Sequence, residues 1–262
     1  MQTRYSSLIC LVVLLSAWII LAYNTSIMKQ TTQFQNVIGY VVLPLTLFFA
    51  WRVVFAFANR SIKITFTSGR YLAYAGIAAI SYGIFYMFAT NMIAPPDEFD
   101  PILKSSFIVP YQNFGPLAMW PNLEFYLKSV NLAGFVSVGS MMTVLTLSGM
   151  MGLVVALFLY NVNYMTSKAG ATTSSSMFGA ILSSLSTNTC CCCSPAILPA
   201  VLVFFGSATA NSFWLEFSTP SSLAFNLALL LNLGLLLLSI IISSKRIEKM
   251  VTCKSSDDLN QS

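Results

Sequence analysis

The sequence predicts an all-α fold: a polytopic transmembrane helix bundle of about six spans, the fifth of them broken. Three observations carry this. Hydrophobic residues make up 56% of the 262 and charged residues only 8%, against roughly 25% charged in a soluble domain, whose surface must stay solvated. The apolar residues fall in long runs, most of them near the roughly 20 residues that cross a bilayer as a helix. Basic residues sit between those runs and crowd into alternate connections, the pattern that orients a chain in a membrane.

Segment one spans about 7–23. A cleaved signal peptide is the rival reading, but the apolar region is long and no small-x-small cleavage site follows it. Segment two, about 37–58, contains Pro44, which a membrane helix tolerates when neighbours satisfy the freed carbonyl. Segment three, about 71–92, repeats Ala75, Ala79 and Gly83 at four-residue spacing, a small-residue face suited to close helix packing. A proline-rich stretch follows at 94–127, read as an outer loop whose aromatics lie against the interface or cap the bundle. Segment four, about 129–160, carries a second small face at Ser148, Gly152 and Ala156. Segment six, about 221–242, is leucine-rich and stops at Lys245, Arg246 and Lys249. The chain thus reads as one transmembrane domain over 1–249 with a flexible cytoplasmic tail at 250–262.

With a cytoplasmic N-terminus and six spans, nine basic residues (Arg4, Arg60, Lys63, Arg70, Lys168, Lys245, Arg246, Lys249 and Lys254) fall inside and three (Lys29, Lys104 and Lys128) outside. This bias predicts a multi-pass protein of the cell membrane with both termini cytoplasmic. Arg52 lies within segment two near its inner end, where it can snorkel to the same side. The net charge of +5 is dispersed and no nucleic-acid motif is present, so the expected surroundings are the lipid bilayer and protein partners, with no nucleic acid. The chain has no histidine, which excludes its own imidazole as a haem, copper or iron ligand or as an acid–base group. No phosphate-binding, dinucleotide or nucleophile-elbow motif occurs, and the sequence names no cofactor.

Segment five is the chemical clue. It runs from about 172 to 210, too long for one simple span, and reads SSLSTNTCCCCSPAILP in its middle. Pro195 and Pro199 disfavour a continuous helix. Before them Ser175, Gly179, Ser183 and Thr187 form one small or polar row, and Ser176, Ala180, Ser184 and Asn188 another. The expectation is a helix, a break at Cys190–Cys193, and a second helical piece from near Pro195. Broken backbone at membrane depth requires burial in protein or a water-filled cavity. Cys190 and Cys193 have Cys-x-x-Cys spacing, and a thiol at a helix N-terminus favours its thiolate. Such a pair suits disulfide exchange, and Cys190, Cys191, Cys192 and Cys193 together could supply sulfur to Cu(I) or Zn(II). Met141, Met142, Met150 and Met151 could add thioethers, although a role as packing residues is the plainer reading. Three functions stay open: a thiol redox relay through Cys190 and Cys193, soft-metal binding or transport, and a non-catalytic accessory subunit in which the cysteines are inert.

The stretch 178–249 resembles a class of uncharacterised archaeal polytopic membrane proteins, in which a small-residue helix leads to a Cys-x-x-Cys break and a leucine-rich helix ends in basic residues. CCCCSPAILP is similar to the cysteine–proline breaks of the membrane thiol-electron transporters of cytochrome c biogenesis. That resemblance implies redox-active thiols at Cys190 and Cys193, and the expected protein partner is a thiol-redox protein or a membrane complex. The family's second cysteine lies in another broken helix, whereas the first half of this chain offers only Cys10, with no adjacent proline.

Overall fold

The computed structural model describes residues 2–28, 33–90, 92–94, 108–115, 117–127, 132–168 and 222–259. Among them are five helices long and apolar enough to cross a membrane. They are α1 (Gln2–Met28), α2 (Gln33–Phe66), α3 (Gly69–Ala89), α4 (Val138–Lys168) and α5 (Leu223–Leu259). The polytopic helical architecture is as predicted. Segment five lies outside the described residues. α5 continues to Leu259, past the point at which the sequence suggests a tail.

The two small-residue faces prove to be each other's partner. A Cβ added to Gly152 of α4 would lie 2.5 Å from the carbonyl oxygen of Ala75 and 3.2 Å from the Cβ of Ala79, both on α3. At Gly83 the corresponding distance to the Cβ of Ser148 is 3.5 Å, an ordinary contact. The helices therefore come closest at Gly152, where backbone meets backbone and dispersion contacts are densest.

The stretch read as a loop holds a four-stranded antiparallel sheet in the order β1-β4-β3-β2, built from β1 (Ile93–Ala94), β2 (Ile108–Gly115), β3 (Ala118–Leu127) and β4 (Leu132–Ser137). Pro110 and Pro121 conceal it in the sequence, because proline interrupts a ladder. The β2–β3 register slips between the pairs Val109↔Asn122 and Gln112↔Trp120, and β4 pairs with β3 only from Asn122 onward. Both prolines thus fall where the ladder is already irregular or unpaired. Segment four accordingly begins as a strand and becomes helix only at Val138. Ser137 and Ser140 make that switch. The Ser140 amide donates to Ser137 Oγ at 3.1 Å, and the Ser137 amide donates to Ser140 Oγ at 3.0 Å. This is a reciprocal cap, with serine in the place usually held by Glu or Gln.

The sheet caps one end of the bundle. Leu117, in the left-handed region at φ 72°, turns β2 into β3 and lies against Gly39 of α2, where an added Cβ would be 2.7 Å from the Leu117 carbonyl oxygen. One turn of α2 grips the next peptide: the Met119 amide donates to Asn36 Oδ1 at 3.0 Å, and the Tyr40 hydroxyl donates to the Met119 carbonyl. Trp120 is buried between helices, its ring edge-on to Tyr40 at 4.6 Å and so close to Gly139 of α4 that no Cβ would fit.

At the opposite end Tyr71 of α3 packs against Tyr160 of α4, and Ser61 of α2 reaches α5. Tyr40 to Ser61 is about 31 Å along α2 at the helical rise, which matches the roughly 30 Å hydrocarbon layer, with aromatic residues at both borders. The exposed cations Arg60, Lys63, Arg70, Lys245, Arg246 and Lys249 all belong to this second end. α4 also terminates there, while α5 starts at the sheet end, its Asn226 bonded to the later half of α1. The chain between α4 and α5 therefore has its two ends on opposite sides of the bundle.

α5 ties the other four helices together. Trp18 Nε1 of α1 donates to Asn226 Oδ1 at 2.9 Å. Asn232 Nδ2 donates to the Tyr82 hydroxyl of α3 at 2.8 Å. Ser61 Oγ of α2 donates to the Ser244 carbonyl at 2.9 Å, and Asn161 Nδ2 of α4 to the Ser243 carbonyl at 3.5 Å. In lipid, such bonds join helices that apolar surface alone does not drive together. Replacing Asn226 with Leu is expected to cost about 0.6–1.7 kcal/mol. The measurement is the thermal midpoint in mild detergent, with Trp18→Phe and the double variant completing a cycle in which the two losses do not add.

Candidate functional site

Cys190, Cys191, Cys192 and Cys193 lie outside the described residues, so the structure places only the other candidates. Cys10 sits on α1 as an exposed free thiol, on a helix that runs unbroken from Gln2 to Met28. It therefore lacks the helix break at which the second cysteine lies in the family that the cysteine–proline stretch resembles.

The methionines do not gather. Met150 is completely buried in the core, whereas Met141 and Met142 are exposed and stand about 13 Å farther along the helix, toward the sheet. Four thioethers spread in this way cannot close on one ion, and the packing reading accounts for Met150. Among the described residues no group of three or more Cys, Asp and Glu could hold a metal.

The structure adds two features that the motif reading missed. The first is the polar track along α5. Asn226 and Asn232 are each almost completely buried, and the Oδ1 of Asn232 accepts no hydrogen bond. A buried carboxamide oxygen in that state costs free energy, so the track stores polar capacity in the middle of the bundle. The signal was present, because two asparagines in the leucine-rich segment six are costly in lipid unless a neighbouring helix receives them. The second is the setting of Arg52. The sequence places it near the inner end of its segment, but α2 continues to Phe66. Arg52 lies nine residues before Ser61, about 13 Å along the axis from the level at which Arg60 begins the cations of the second end. It is exposed, with the Phe48 ring centred 6.0 Å from the guanidinium carbon.

Compared with protein-family models, curated proteins and solved structures, the chain matches none.

Proposed function

We propose that this chain is a multi-pass protein of the cell membrane with both termini cytoplasmic, and that it passes reducing equivalents across the bilayer by dithiol–disulfide exchange at Cys190 and Cys193. The observation that carries the reading is the Cys-x-x-Cys pair, set before Pro195 in the stretch whose two ends lie on opposite sides of the bundle. The orientation rests on the exposed cations gathered at the end away from the sheet, the end that positive charge assigns to the cytoplasm. The sheet then faces outward. The resemblance of CCCCSPAILP to the cysteine–proline breaks of thiol-electron transporters points the same way.

The exchange balances in two steps. One thiolate attacks the disulfide of an outward protein partner; a mixed disulfide forms and one partner thiolate leaves and takes up a proton. The second thiolate attacks the mixed disulfide, closing the Cys190–Cys193 bond and releasing the other partner thiol. Two electrons have then moved outward, and a cytoplasmic protein dithiol restores the pair by the reverse chemistry.

Thiol trapping of the protein in its membrane, read by mass spectrometry, is the test. Cys190 and Cys193 are expected to shift together between alkylated and disulfide forms as the external glutathione poise is varied, and Cys190→Ser with Cys193→Ser is expected to abolish the transfer of reductant to an outward disulfide. If the pair keeps one state across the full range, the relay is wrong. Zinc or copper co-purifying at one equivalent and lost from the double variant would instead establish soft-metal handling.

A further inference from the structure

We propose that the outward face of α2 binds a transmembrane helix of another protein, and that a carboxylate on that helix pairs with Arg52. The face is a continuous stripe at helical spacing: Val41, Leu45, Phe48, Arg52 and Phe55 are all exposed. Four of the five suit lipid. Arg52 does not, because its guanidinium carries five donors and a permanent charge. Snorkelling does not reach far enough: an arginine side chain extends about 6–7 Å, and Ser61, beside the first cation of the second end, is about 13 Å away along the axis. The Phe48 ring stands at the outer limit of a cation–π contact and satisfies none of the donors.

The chain itself does not answer this charge among the described residues. No ion pair forms at Arg52. Glu124 belongs to the sheet, and Glu248, Asp257 and Asp258 to the basic end of α5. A second copy in the same membrane orientation brings these residues to the same levels, so none of the described acidic positions of a second copy comes to the level of Arg52 through this face. An ionisable group at this depth faces a partner or a water-filled cavity. A helix bearing Asp or Glu near its midpoint meets both the charge and the aliphatic and aromatic stripe, and Arg is the cation that pairs with a carboxylate in two parallel hydrogen bonds.

The test uses the full chain in phosphatidylcholine vesicles and two synthetic probes: polyleucine helices of about 22 residues with a single Glu or a single Gln at the midpoint. Association is read by energy transfer from a label on the chain to one on the peptide. The Glu peptide is expected to associate about tenfold more tightly than the Gln peptide, the scale of one strong interhelical polar contact in model membrane peptides. Arg52→Leu is expected to remove the difference and Arg52→Lys to keep part of it. Equal association of the two peptides with the unaltered chain overturns the proposal and needs no variant to be interpreted. So does energy transfer between two labelled pools of the chain that Arg52→Leu abolishes, because the occupant is then a second copy. The outcome is independent of the thiol reading, since neither probe contains sulfur.

Discussion

Gly152→Ile is expected to abolish the native packing of α3 on α4, and Gly152→Ala to weaken it by about 1–3 kcal/mol, the usual cost of overfilling a packed site. The first atom of any side chain at this position would stand 2.5 Å from the Ala75 carbonyl oxygen. That neighbour is backbone, so it cannot rotate away; α3 has to move as a body, and Ala79 lies next in line. Gly76→Ala and Gly234→Ala are the controls, because an added Cβ at either has nothing within 4 Å. Alanine there is expected to be neutral or slightly stabilising, by up to about 1 kcal/mol, because it lowers the freedom of the unfolded helix. Thermal unfolding in mild detergent, followed by circular dichroism, separates the cases. A Gly152→Ala midpoint equal to that of the Gly76→Ala chain would contradict the close contact.

Trp120→Ala is expected to release the sheet from the bundle. The indole fills the space between Tyr40 and Gly139, and emptying a buried aromatic site costs about 3–5 kcal/mol. Amide hydrogen exchange along β3 and β4 should accelerate by more than about a hundredfold if opening of the sheet limits it, while α5 amides stay protected. Trp120→Phe should do little, because a phenyl ring keeps the edge-on contact with Tyr40 and the buried indole N–H has no acceptor to lose. Should the Phe and Ala variants exchange equally fast, the ring packing is not what holds the sheet.

How far the residues disclosed these features depends on the physics behind each signal. The spans were legible because lipid demands long apolar runs, and α3 and α4 announced their contact through alanine, glycine and serine at four-residue spacing. Position-by-position pairing of those faces required the fold. The sheet was not legible. Pro110 and Pro121 speak against strands, and only the register slip reconciles them with a ladder. The Ser137–Ser140 cap was a readable helix start, obscured by the apolar residues before it, which mimic an earlier helical turn. Arg52 was visible as a charge, and the structure adds that its helix continues past the apolar run to Phe66, because the end of an apolar run is not the end of the helix that carries it. The cysteine run stood out by composition alone, and its chemistry rests on that sequence together with the opposite placement of the two ends of its connection.

The bonds that α5 collects also have a consequence in time. A ribosome delivers α1 to α4 before α5, so during synthesis the Trp18 indole, the Ser61 hydroxyl, the Tyr82 hydroxyl and the Asn161 carboxamide enter the bilayer ahead of the groups they meet in the finished protein. Until the last of the described helices arrives, the nascent bundle is marked by unspent polarity, the kind of mark by which membrane quality control can tell an incomplete chain from a finished one. Arrival of α5 gives each of these four groups its partner, so the last of the described helices carries the polar closure of the other four.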